Sequence, residues 1–242
     1  MLILLANDDG YARRGIRAMQ AALSALGDVV IVAPELEQSA ASHALSLHRP
    51  LRLRKAEPNV FAVDGTPADC IYVALHHPHV LPRKPDLVVS GLNHGLNLGQ
   101  DVVDSGTGPA AREGALRGIP AIAASGARGV DRDLACRAVA DLAKRLVARS
   151  ADKPLLLNVN FPPNWTGAMR VARIGFRAYE ELVDLRKDPR GRDYLWIGGA
   201  GVHHDPDPGS DTAAHDEGVA SVTPLRLDLT SNDDMKDVES LL

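Results

Sequence analysis

Five short apolar runs constrain what this chain can fold into. They are LILLA (Leu2–Ala6), VVIVAP (Val29–Pro34), PDLVVSG (Pro85–Gly91), IPAIAAS (Ile119–Ser125) and PLLLNVNFP (Pro154–Pro162). Each reads as a strand covered on both faces, because a strand with one wet side would alternate apolar with polar residues. Segments of helical period lie between them. Ile16, Met19, Leu23 and Leu26 recur at helical spacing and Gly27 closes the segment. GTPADCIYVALHH opens a helix with Thr66 as N-cap, Pro67 at the first helical position and Asp69 reaching back as in a capping box. A further helix begins near Thr107 and runs to Arg117, and Leu134, Ala138, Leu142 and Leu146 form another apolar stripe. Strands alternating with helices predict an α/β protein: a mostly parallel sheet with helices on both faces.

Beyond about Trp165 the text changes. Strands joined by a charged turn around Lys187–Arg192 come first. A polar, turn-rich stretch with a short helix near Asp211–Glu217 follows, and then VASVTPLRLDLT, which reads as a strand. This region is too thin in apolar residues to fold alone. The expected division is a core over 1–164 and an extended, β-rich C-terminal arm over 165–242 that packs on the core or on another subunit. The 242 residues, 45% of them hydrophobic, suffice for one large domain with such an arm. A net charge of -4 argues against a broad nucleic-acid surface, and no stable nucleic-acid complex is expected. No apolar segment is long enough to span a bilayer, so a cytoplasmic, membrane-free protein is expected, with Cys70 and Cys136 as reduced, buried thiols.

Ligands of parallel sheets sit beyond the carboxyl ends of the strands, and four ends here are polar: Asn7-Asp8-Asp9-Gly10, Gln38-Ser39, Ser90-Gly91-Leu92-Asn93 and Asn158-Val159-Asn160. Two adjacent carboxylates repel unless a positive charge or water intervenes. Together with Ser and Asn oxygens they form a hard set suited to Mg²⁺, Mn²⁺ or Ca²⁺ rather than zinc. They converge only if the chain turns there, and Gly10 supplies the turn. The competing reading, in which Asp8 caps the next helix and Asp9 is solvated, stays open, since Asp-Asp-Gly is also a common turn. In SGLNHGLNLGQDVVDSGTGPAAREG, Ser105-Gly106-Thr107 stands just before a helix start. Backbone N–H groups there, with two hydroxyls beside them, suit a phosphate; a plain glycine-rich loop with Thr107 as N-cap is the alternative. His76, His77 and His79 complement a helix dipole. His203, His204 and His215 lack zinc spacing, and Arg49, Arg52 and Arg54 read as the solvated face of a strand.

NDDG, AP…QSA, DGTPADC, the long Gly/Asn segment, NVNFP and GSDTAAHDEGVASVTPL occur in this order along nearly the whole chain. In these motifs the sequence resembles the survival protein SurE family of metal-dependent nucleotidases. The resemblance implies a Rossmann-like core, a swapped C-terminal arm and a homodimer or homotetramer. It implies hydrolysis of nucleoside 5′- and 3′-monophosphates and of short polyphosphate. One divalent metal ion per subunit, Mg²⁺ or Mn²⁺, falls on Asp8, Asp9, Ser39 and Asn93. The phosphate loop falls on Ser105, Gly106 and Thr107, with Asn97 close by. The expected chemistry is attack of metal-activated water, with Asp8 and Asp9 as the catalytic carboxylates. A covalent phospho-aspartate, an N-acetyl-sugar deacetylase and a non-catalytic nucleotide-binding module are the rivals. The chain departs from the family pattern at Ala40, where glycine is usual; at Asp104, where tyrosine is usual; at Gly108-Pro109, where valine is usual; and near Val219-Ala220, where an aromatic is usual. The segment Glu180–Trp196 is the expected intersubunit arm.

Overall fold

The computed structural model describes residues 1–149, 153–180, 182–198, 201–204 and 207–242. In chain order the elements are β1 (Leu2–Ala6), α1 (Arg14–Leu23), β2 (Asp28–Pro34), β3 (Leu53–Glu57), β4 (Val60–Val63), α2 (Pro67–His76), β5 (Leu87–His94), α3 (Asp101–Asp104), α4 (Thr107–Leu116), β6 (Ala121–Gly126), α5 (Arg132–Ala148) and β7 (Leu156–Phe161). They continue with β8 (Met169–Val171), β9 (Arg177–Tyr179), β10 (Val183–Lys187), β11 (Asp193–Ile197), β12 (Val202–His204), α6 (Asp211–Asp216), β13 (Ala220–Leu225) and α7 (Met235–Glu239).

Nine strands form one sheet in the order β3-β4-β2-β1-β5-β6-β7-β13-β8. The run from β4 to β7 is parallel throughout, as the unbroken apolar runs require. Strand alternation sorts β1 between two cores. Ile3 and Leu5 pack with Ile16, Met19 and Leu23 of α1 and Ala135, Val139 and Ala143 of α5. Leu2, Leu4 and Ala6 pack with Cys70, Ile71 and Ala74 of α2 and Ala110, Ala111 and Ala115 of α4. Both cysteines are free and buried.

The capping box that opens α2 is present in full, with Thr66 Oγ1 accepting from Asp69 N and Asp69 Oδ2 from Thr66 N. Two sequence expectations change. The strand expected around Arg49, Arg52 and Arg54 begins later, at Leu53, and its residues are mostly exposed. Arg49 and Arg52 precede β3, so only Arg54 of the three arginines lies on it, paired with Glu35. The C-terminal region divides in two. β13 enters the main sheet antiparallel to β7, and β8 pairs beside it. β10 and β11 form a separate hairpin.

Candidate active site

The chain reverses its direction of travel across the sheet at β1. β2 and β4 lie on one side of it, β5 and β6 on the other. This topological switch point is where an open parallel sheet leaves a crevice beyond its strand ends. A cleft of about 420 Å³ lies there, lined by Asp9, Ser39, Asn93 and His94 among others. A cavity of about 430 Å³ near the starts of β5 and β6, at the other ends of the strands, is lined by His76, Lys84, Arg117 and Ile119, and among the described residues no carboxylate lines it. Of these two, only the first is lined by residues of the candidate set.

Asn7, fully buried, shapes the turn that follows β1. Its Oδ1 accepts from Gly10 N at 3.2 Å and its Nδ2 donates to Gly10 O at 3.0 Å. Gly10 takes φ +114, a conformation that side chains rarely adopt. Beyond the strand, the two aspartates have separate partners. Asp8 is only 4% exposed and accepts from Thr107 Oγ1 at 2.7 Å. Asp9 lines the cleft and accepts from His94 N at 3.3 Å. α1 takes its N-cap from Arg13, so Asp8 does not cap it.

Burial drives the Asp8 carboxyl up to about 6. Hydrogen bonds from Thr107 and the Gly106 backbone pull it down, and the charge of Asp9 pushes it up. Asp9 is raised too, first by burial and then by Glu37, against the opposing hydrogen bond from His94. Among the described residues neither carboxylate has an ion-pair partner. A buried, doubly acidic strand end with no cation of its own fits a divalent ion. No three His, Cys, Asp or Glu residues cluster to hold a metal among the described residues. A cation here would thus draw on neutral oxygens as well, and Asn93 supplies one. Its Nδ2 donates to Gly95 O at 3.1 Å, which leaves the carbonyl oxygen available. The pairing of β5 with β6 shifts register between Ser90 and Asn93, where the strand end reaches the cleft lining. Ser39 donates its Oγ to Glu37 at 3.0 Å, leaving its lone pairs as ligand positions.

Gly106 is the N-cap of α4 and Thr107 its first residue, so the alternative of Thr107 as a plain N-cap does not hold. Its hydroxyl bonds Asp8 instead. Ser105 Oγ accepts from Thr107 N at 2.9 Å. A Cβ on Gly106 would lie 2.7 Å from Asp8 Cβ and 2.9 Å from Pro67 Cγ, so only glycine allows this approach. Asn97 is buried and locked. Its N donates to Asn160 Oδ1 at 2.7 Å, its Nδ2 to Ser125 Oγ at 2.7 Å, and its O accepts from both Asn158 and Asn160. The structure thus brings Asp9, Ser39 and Asn93 onto one cleft. It joins Asp8 to Gly106 and Thr107 behind them, and seats Asn97 in a polar network below.

Sequence alone assigns no supporting role to Asn7, Ser125, His94 or Asp211. Asp211 receives Gly99 N at 3.1 Å and Gly175 N at 2.8 Å, so α6 holds the glycine-rich loop in place. The motif GSDTAAHDEG carried that signal without its partner. Asp104 has an exposed side chain outside the cleft lining, and its carbonyl accepts from Ser42 N at 3.0 Å. Ala40 takes φ +56, the region that favours glycine. Ala220, fully buried at the start of β13, stands where a larger side chain would have to find room.

A family model described as "Survival protein SurE" matches residues 3–181. The "5'-nucleotidase SurE" of Sorangium cellulosum (strain So ce56) is 58% identical over 233 residues, covering 94% of this chain and 90% of that protein. The "5'-nucleotidase SurE" of Myxococcus xanthus (strain DK1622) is 46% identical over 244 residues, covering 98% of this chain and 91% of that protein. Among solved structures, the SurE protein from Aquifex aeolicus superposes with a TM-score of 0.84 at 38% identity, covering 100% of this chain and 99% of that one.

Proposed function

The chain belongs to the survival protein SurE family, and from that premise we propose how its cleft works on a nucleotide. The protein is a nucleotidase, a phosphomonoesterase of nucleoside monophosphates. Its family is metal-dependent. Asp8, Asp9, Ser39 and Asn93 would hold one Mg²⁺ or Mn²⁺ per subunit. When bound, the ion supplies a polarised phosphoryl oxygen and an acidified water. The observation that carries the assignment is Asp8: a buried carboxylate beside a second one, with no ion-pair partner among the described residues, tied to a helix start.

The remaining roles fall to this chain's own groups. The N-terminus of α4, brought against Asp8 by Gly106, favours negative charge on the phosphate. Ser105, Gly106 and Thr107 border that phosphate, and Asn97 keeps the loop in place. Asp9, the more open carboxylate, accepts the proton of the attacking water. Substrates include 5′- and 3′-monophosphates and short polyphosphate. Phosphate release from 5′-AMP and 3′-AMP tests this. Mn²⁺ or Mg²⁺ should support it, EDTA should abolish it, and Asp9→Asn should lower it at least a hundredfold. Release that persists in EDTA would refute the metal site, and binding of AMP without release would mark a non-catalytic module.

We also assign this chain to a homo-oligomer. The register of β10 with β11 puts Val183, Leu185, Leu195 and Ile197 on one hairpin face, all well exposed. An apolar face of this kind marks a contact surface. Residue 181, within the expected arm Glu180–Trp196, lies outside the described residues. Residues 1–164 serve as the metal and phosphate core and 165–242 as the arm. No helix among the described residues is long and apolar enough to cross a membrane. Two free thiols accord with a cytoplasmic location.

A further inference from the structure

Three arginines on the cleft have no part in the chemistry above. Arg14 opens α1, Arg128 follows β6 and Arg132 opens α5, and all three line the cleft that holds Asp9 and Asn93. Arg13 lines it too but is engaged, with its Nε on Asp9 O at 3.2 Å and its guanidinium on Glu37 at 3.4 Å. Among the described residues Arg14, Arg128 and Arg132 have neither an ion pair nor a side-chain hydrogen bond. Among the described residues Glu37 and Asp9 are the only acids in the lining. The whole chain carries a net charge of -4, so this excess of cations is local and not a consequence of composition.

A nucleoside monophosphate does not account for these groups. Its single phosphate is met at the aspartates and at the start of α4. Its ribose and base are neutral, so three guanidiniums would face uncharged atoms. A guanidinium offers five donors in a planar fork that matches phosphate oxygens. The cleft, about 420 Å³, has the volume of a small-ligand site.

We propose that Arg14, Arg128 and Arg132 form a second phosphate subsite that selects nucleoside 3′,5′-bisphosphates. The proposal rests on the nucleotidase reading of the same cleft. One phosphate sits at the aspartates and is removed while the other is held by the arginines. Water oxygen bonds to phosphorus, the bond from phosphorus to the ribose oxygen breaks, and that oxygen takes a proton. The products are inorganic phosphate and a nucleoside monophosphate.

The test compares 5′-AMP with adenosine 3′,5′-bisphosphate in Mn²⁺, using wild type, Arg128→Gln and the triple variant R14Q/R128Q/R132Q. Wild type should show kcat/KM at least tenfold higher for the bisphosphate. The triple variant should lose that advantage while 5′-AMP changes less than about threefold, and Arg128→Gln should fall between. Equal wild-type efficiency on the two substrates, or a parallel fall on both in the variants, would overturn the subsite. Calorimetric titration of adenosine 3′,5′-bisphosphate in EDTA gives a readout without turnover. Wild type should bind at least tenfold more tightly than the triple variant, and equal affinities would overturn the proposal. If 5′-AMP is not hydrolysed at all but this affinity difference persists, the nucleotidase reading fails and the subsite stands.

Discussion

Replacing Asp8 by Asn should make the metal-free protein more stable at neutral pH while removing its activity. Burial, and then the charge of Asp9, raise the Asp8 carboxyl from 3.8 to about 6 against the pull of Thr107. Each pKa unit corresponds to about 1.4 kcal/mol, so ionised Asp8 opposes folding by roughly 3 kcal/mol above pH ~6. The sign follows from proton binding. The folded state holds the proton more tightly than the unfolded chain, so stability falls as pH rises from 3.8 to about 6 and stays low above that. Asn keeps the shape and still accepts from Thr107 Oγ1, but its amide nitrogen faces the Gly106 N–H, which costs about 1 kcal/mol. The net gain is about 2 kcal/mol, or about 4–8 °C in Tm for a chain of this size. Thermal melts in EDTA between pH 4.5 and 8, followed by circular dichroism, measure it. Wild type should lose stability across the lower half of that range and the variant should not. Saturating Mn²⁺ should raise the wild-type Tm and leave the variant nearly unmoved. A variant that melts at or below wild type at pH 7.5 in EDTA would refute the reasoning, as would a Mn²⁺ shift of equal size in both proteins.

The tight approach of α4 to β1 makes Gly106→Ala costly. A Cβ 2.7 Å from Asp8 Cβ should destabilise the protein by about 1–3 kcal/mol, and 5′-AMP turnover should fall at least tenfold; wild-type turnover would show that the approach is dispensable. Ala40→Gly relieves a residue at φ +56 and should raise stability by about 0.5–1 kcal/mol with activity kept, as read from urea midpoints; a lower midpoint would count against it. Asn160→Ala strips the Asn97 backbone of two partners and should cost about 1–3 kcal/mol while raising KM for 5′-AMP; an unchanged KM would detach that network from the phosphate loop. Leu185→Asp with Leu195→Asp charges a directly paired, exposed position of the hairpin and should shift the mass measured by light scattering toward the monomer. An unchanged mass would place the subunit contact elsewhere.

Legibility varied with the kind of force involved. The strands β1, β2, β5, β6 and β7 were readable because burial on both faces leaves a local mark, an apolar run with no alternation. The α2 capping box was readable because all its partners lie within four residues. β3 was readable only in part: its pairing with β4 leaves most of its side chains in water and imposes no apolar pattern, and the arginines that suggest a strand place it too early, since Arg49 and Arg52 precede it. Thr107 is readable as chemically rich, but the partner of its hydroxyl is not. The hydroxyl that suits an N-cap in sequence reaches Asp8, 99 residues away, in the fold.

By itself the sequence determined the layered α/β class, the polar strand ends and the kinds of atom available for chemistry, because these depend on residue type and short spacings. Tertiary structure alone decided three further matters. It set the switch point at β1, which joins the ends of β1 and β5 in one crevice. It separated the environments of two adjacent aspartates, burying Asp8 against α4 and leaving Asp9 on the cleft. It also gathered Arg14, Arg128 and Arg132 from three parts of the chain around Asp9. Each is a long-range juxtaposition fixed by strand order and register, and a linear pattern of residues carries no record of which distant segment will lie alongside.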